Sequence, residues 1–76
     1  MIEVQKLSDD VTSVVRFGFR NQVEHSVIVI HTCSCNYSII QTMPTTGEKV
    51  LRREVIGRHA AIGYAVSVVL DEGEVW

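Results

Sequence analysis

Apolar and polar residues alternate along much of this chain with a period of two. From Val11 to Arg20, one side of an extended chain collects Val11, Ser13, Val15, Phe17 and Phe19. The other side collects Thr12, Val14, Arg16, Gly18 and Arg20. That pattern predicts a half-buried strand. Ile2 to Leu7 reads as a shorter mixed strand, turned at Ser8-Asp9-Asp10. Asn21 to Glu24 reads as a polar connection. Ser26 to Thr32 carries Val27-Ile28-Val29-Ile30 without a break, and a continuous run of this kind predicts a strand covered on both faces. Cys33-Ser34-Cys35-Asn36 is a turn, and Tyr37 to Met43 is the returning strand. Pro44-Thr45-Thr46-Gly47 is the strongest turn signal, with the single proline of the chain. Lys49 to Ile56 alternates weakly, with Arg52 and Glu54 outward, until Gly57 interrupts it.

The segment from His59 to Leu70 fits two periods. Extended, it places Ile62, Tyr64, Val66, Val68 and Leu70 on one face and Ala61, Gly63, Ala65 and Ser67 on the other. A helix there has Gly63 and four β-branched residues against it. The expectation is therefore a strand, with a helix from about Arg58 to Leu70 as the alternative. A face of small residues would suit either a contact between protomers or a core position opposite bulky side chains. Asp71-Glu72-Gly73-Glu74 reads as an acidic turn, and Trp76 is expected to pack on a neighbouring strand or subunit.

Composition supports an extended chain. Valine and isoleucine together number 20, against 6 leucines and alanines. Branching at Cβ restricts χ1 in a helix and fits a pleated surface. The expected fold is all-β: one domain over residues 1–76, with five or six short antiparallel strands in a sandwich or barrel-like sheet. The helical alternative makes it α+β. A chain of 76 residues buries only about 60% of its unfolded surface, so small domains lean on a disulfide set, a metal or a partner. Cys33 and Cys35 are too close in sequence for a useful disulfide. With 46% apolar residues and a mean hydropathy of +0.17, self-association is the expectation, and the partner is a homo-oligomer.

A net charge of −2 argues against nucleic acid as a partner. No run approaches the roughly 18 apolar residues of a membrane span. Met1-Ile2-Glu3-Val4-Gln5-Lys6 has charge where an export signal would be apolar. Free cysteines without such a signal point to the cytoplasm, or to the host cytoplasm if the protein is viral.

Three constellations could carry chemistry. His31, Cys33 and Cys35 recur at every second residue, and imidazole with two thiolates suits zinc or copper(I), with His25 or His59 as a fourth ligand. Zinc sites space their cysteines more widely, so these residues read better as small apolar side chains entering a turn. No metal or other cofactor is expected. A thiol activated by His31 lacks an orienting third partner. The basic residues form the second constellation: Lys49, Arg52, Arg53 and Arg58, with His59 adjacent, and Arg16 with Arg20. A guanidinium fork matches two phosphate oxygens. Tyr64, Tyr37, Phe17 and Trp76 offer stacking surfaces. Arg52, Arg53, Arg58, His59, Arg16, Arg20 and Tyr64 are thus the candidate ligand-binding residues. The same charges would also serve as an ordinary solvated surface, balanced locally by Glu48 and Glu54. The third constellation, the acidic run Asp71, Glu72 and Glu74, lacks calcium-loop spacing. The glycines are scattered at 18, 47, 57, 63 and 73, with no phosphate loop, and no catalytic set is visible, so no enzymatic activity is expected.

From Val27 to Glu48 the chain resembles, in length and rhythm, the middle of the trp RNA-binding attenuation protein family: an apolar strand, a polar turn, a return strand and a Gly47-Glu48 turn. The resemblance covers under a third of the chain and implies small β subunits that close into rings. The family's alternating Lys and Arg strand has no counterpart here, where the corresponding stretch reads Ile62-Gly63-Tyr64, so RNA binding is not implied. The expected function is a non-enzymatic, oligomeric binding protein holding a small anionic or nucleotide-like ligand at or between subunits. A phage or mobile-element accessory protein that sequesters a host signal would be one such protein. The alternative is an inhibitor or adaptor that docks on a larger protein.

Overall fold

Four tight connections turn the chain back on itself, so the strands pair in the order in which they occur. The computed structural model describes residues 1–43 and 46–70. Strands β1 (Ile2–Lys6), β2 (Val11–Phe17), β3 (Val23–Cys33), β4 (Asn36–Thr42) and β5 (Lys49–Ile56) form one antiparallel sheet in the order β1-β2-β3-β4-β5. Helix α1 (Arg58–Leu70) follows and lies across β2 to β5. The protein is mainly β with one helix.

Local chemistry explains the turns. Val11 O accepts from the amides of Leu7 at 2.8 Å and Ser8 at 3.1 Å. Phe19–Asn21 makes a short 3₁₀ turn with Arg20 and Asn21 at positive φ. Between β3 and β4, Ser34 takes φ 50°. Gly47, at φ 73°, closes the β4–β5 connection by donating its amide to Met43 O at 2.8 Å. Pro44 and Thr45 lie outside the described residues, as do Asp71, Glu72, Glu74 and Trp76, so the expectations placed on them find no structural counterpart.

Two expectations are corrected. Among the described residues the sheet is single and open, with β1 and β5 at its edges, rather than a sandwich or a barrel. Arg58–Leu70 is the helix of the alternative reading and not the expected strand. At 3.6 residues per turn, Ala61, Ala65, Val68 and Val69 fall on one stripe, and all four are buried against the sheet. The run of small residues that looked like one strand face is split: Ala61 and Ala65 face in, while Gly63 and Ser67 face out. Alanine at the contact lets the helix backbone approach the sheet closely. Gly57 makes the direct passage from β5 into α1 possible. It sits at φ 95°, where a side chain is strained, donates to Cys35 O at 2.8 Å and accepts from the Ala61 amide at 3.0 Å.

The core lies between helix and sheet. It comprises Val14, Val27, Val29 and Ile39 from the strands and Ala61, Ala65, Val68 and Val69 from α1, none more than 3% exposed. Each buried valine or isoleucine contributes about 1.5–3 kcal/mol of transfer free energy. The pairing fixes which residues share this face. Val4, Val14, Val27, Gln41 and Val50 form one row across it, and Lys6, Thr12, Val29, Ile39 and Arg53 form the next. The opposite face carries Val11, Val15, Ile28, Ile30, Ile40 and Leu51, and no element of the described chain covers it. The apolar run of β3 is thus covered on one side only within the chain, contrary to its sequence pattern.

Candidate ligand site between the fifth strand and the helix

Among the described residues strand β5 is an edge, and α1 follows it and crosses back over the sheet. The register between β4 and β5 shifts at Ile39/Ile40, so that Arg52 is an extra residue in a bulge and Arg53 pairs with Ile39 on the helix side. There the Arg53 guanidinium lies 5.5 Å from the centroid of the Tyr64 ring, within cation–π range. Around this pair is an open pocket of about 380 Å³, lined by Arg53, Glu54, Val55, Ile56, Ala60 and Tyr64. Arg58 and His59 are exposed in the first turn of α1, which contains no acidic residue. The first amides of any helix have no acceptor within it, and they carry partial positive charge.

The arrangement offers a planar cation, an aromatic face, free helix amides and one carboxylate. Guanidinium and amides suit a phosphate. The Tyr64 ring suits a flat group, and Glu54 suits a donor such as a ribose hydroxyl or an exocyclic amine. Of the seven residues singled out in the sequence, Arg53 and Tyr64 line this pocket, and Arg58 and His59, in the first turn of α1, do not. Arg52 is adjacent, half-buried, and engaged in an interaction of its own.

Arg16 and Arg20 are not part of it. Arg16 is on β2, with β3 and β4 between it and β5, an offset of about 14 Å at ordinary strand spacing. Its guanidinium pairs with Glu24 Oε1 at 3.0 and 3.1 Å. Arg20 is in the turn beyond β2, over the Phe19 ring at 5.2 Å. Of the other aromatic residues, Tyr37 is stacked on His31 with centroids 4.7 Å apart.

The His31, Cys33 and Cys35 alternation is broken by a register shift between His31 and Cys33. His31 Nδ1 lies 3.3 Å from Asp10 Oδ1, and its Nε2 meets Ser34 O. Cys33 and Cys35 are exposed thiols. Among the described residues, no group of three or more His, Cys, Asp or Glu could hold a metal ion.

Two features escaped sequence reasoning. Ala60 lines the pocket only because the segment is a helix. Gln41 is 1% exposed, and its Oε1 has no hydrogen-bond partner among the described residues. In the sequence it reads as an ordinary polar position of β4, and nothing local marks it as covered. No helix among the described residues is long and apolar enough to cross a membrane. Compared with family models, curated proteins and solved structures, the chain matches none, and the resemblance of residues 27–48 gains no support from them.

Proposed function

We propose that this protein is a non-enzymatic binding protein that takes a small anionic, nucleotide-like ligand in the pocket between β5 and α1. The observation that carries this reading is the Arg53 guanidinium over the Tyr64 ring inside a pocket of about 380 Å³. That volume is within the roughly 300–1,000 Å³ of small-molecule sites. The phosphate goes to Arg53, which turns off the Tyr64 ring to meet it, and the base takes the ring face so released. The lining residues supply recognition groups but no paired nucleophile and base, which favours binding over catalysis.

Titration calorimetry with adenosine and guanosine monophosphates, and with inorganic phosphate, tests this. The expected result is binding of a nucleotide that weakens at least tenfold in Arg53→Ala, and less in Tyr64→Phe than in Tyr64→Leu. Equal affinity for the wild-type protein and Arg53→Ala would overturn the site. So would heats indistinguishable from dilution for every nucleotide at millimolar concentration.

A second reading is favoured by one observation. Strand β5 pairs only with β4 among the described residues, and Ile56 at its end is 72% exposed. The same groove could accept an extended segment of a partner protein by strand addition. A stoichiometric protein partner, with no nucleotide raising the melting temperature, would favour this adaptor role.

A further inference from the structure

We infer that the uncovered face of the sheet is the contact surface for a second copy of this chain, which packs sheet against sheet with the two helices outside. The ligand pocket is framed by the edge of β5 and α1, and Glu54 is the one residue that it shares with this face.

Three observations carry it. The first is the face itself. Reading the register across the strands gives a central row of Gln5, Ser13, Ile28, Ile40 and Leu51, flanked by Glu3, Val15, Ser26, Thr42 and Lys49 on one side and Val11, Ile30, Ser38 and Glu54 on the other. The three inner strands present only aliphatic and hydroxyl side chains here. In these rows charge is confined to the outermost strands; Arg52 on β5 and Glu24 on β3 sit outside the register in bulges, and Glu24 is paired with Arg16. An apolar centre with a charged rim is the composition of a protein interface.

The second is charge complementarity between copies. A two-fold axis along β3 sets Lys49 over Glu3 of the second copy. An axis across the strands sets it over Glu54 instead. In both arrangements the cation of the rim meets an acid and no two like charges coincide. Such self-complementarity is what a two-fold contact demands.

The third is area. Five strands at about 4.8 Å spacing and roughly seven residues at about 3.3 Å each give a flat footprint of about 550 Å². Two such faces remove at least about 1,100 Å² from water, above the ~1,000 Å² expected of a specific interface, and side-chain relief adds to it. Aligned sheets packed about 10 Å apart are an established way to bury such faces. The unbroken apolar run of β3, half covered by α1, would then be covered on both sides.

Sedimentation velocity from about 1 to 500 µM tests the contact. The expected species has twice the 8.5 kDa chain mass. Ile28→Lys places a charge at the centre and is expected to raise the dimer dissociation constant at least a hundredfold, while the far-ultraviolet spectrum keeps its helical and sheet signals. Leu51→Lys, at a position already 57% exposed on an edge strand, guards against misfolding of the first variant and is expected to weaken the dimer at least tenfold. Lys49→Glu is expected to weaken it severalfold. A wild-type protein that stays at the single-chain mass at 500 µM overturns the inference. So does a dimer that survives Ile28→Lys or Leu51→Lys unchanged, since that places the contact at a strand edge or on the helix.

Discussion

The two faces of this sheet are made of the same side chains and meet opposite fates. Ile39 and Ile40 are neighbours in β4. Ile39 is fully buried beneath α1, and Ile40 is half-buried on the open side. Val29 and Ile30 divide in the same way on β3. Branched side chains therefore specify that the chain is extended without specifying what covers it. Coverage of one face is decided by α1, which can lie flat because Ala61 and Ala65 point at the sheet. The other face carries Val11, Val15, Ile28, Ile30, Ile40 and Leu51, and nothing in the described chain answers it.

The largest expected effect separates these faces. Ile39→Ala should destabilise the protein by about 2–5 kcal/mol, because it loses the transfer term and leaves a cavity in a closed site. Ile40→Ala in dilute protein should cost less than about 1 kcal/mol, because its neighbours on that side are solvent and the row beside it. Urea denaturation at low micromolar concentration measures both. Equal costs would mean that the open face is covered even in dilute solution. A cost at Ile40 that grows with protein concentration would mean that mass action supplies the cover.

A smaller effect tests how closely the helix sits. Ala65 is fully buried on the sheet side of α1, and Ser67, two residues on, is exposed. Ala65→Leu should destabilise by about 1–3 kcal/mol through overpacking. Ser67→Leu should stay within about 0.5 kcal/mol of wild type. Equal tolerance at the two positions would mean that α1 does not rest on its alanines.

Much of the sheet was legible in the sequence because period two and turn chemistry are local signals. The alternation of Val11–Phe17, the apolar run of β3 and the glycine turn before β5 each announce themselves within a few residues. The helix was less legible because α1 is apolar nearly all round: Ile62 and Val66 are half-buried, and Leu70 is 56% exposed on the outside. Without a polar face, a 3.6-residue period hardly stands out from a two-residue one, and four β-branched residues then tilt the reading to a strand. The candidate site was legible in its parts and not in its assembly. Arg53 and Tyr64 are 11 positions apart, and only the helical return across the sheet brings them together. Arg16 and Arg20 bear the same charge but are held on β2, three strands from β5, and in the turn beyond it, one by Glu24 and one over Phe19. Residue type marked the cations, whereas topology decided which of them share a pocket.

The smallest effect bears on the segment that the sequence left ambiguous. Gly63 is exposed in the middle of α1, away from positive φ, and a Cβ placed on it meets nothing within 4 Å. An alanine there removes backbone freedom from the unfolded chain without strain, so Gly63→Ala should stabilise the protein by about 0.5–1 kcal/mol. The informative comparison is with Gly63→Val. In a helix, valine loses χ1 freedom against the preceding turn and should fall below alanine by up to about 0.7 kcal/mol. In a strand the order reverses, because branching fits the pleat. Urea midpoints of the two variants, measured side by side, should rank alanine above valine. The opposite rank would return residues 58–70 to the sheet, and with them the cover that only a helix gives to Val14, Val27, Val29 and Ile39.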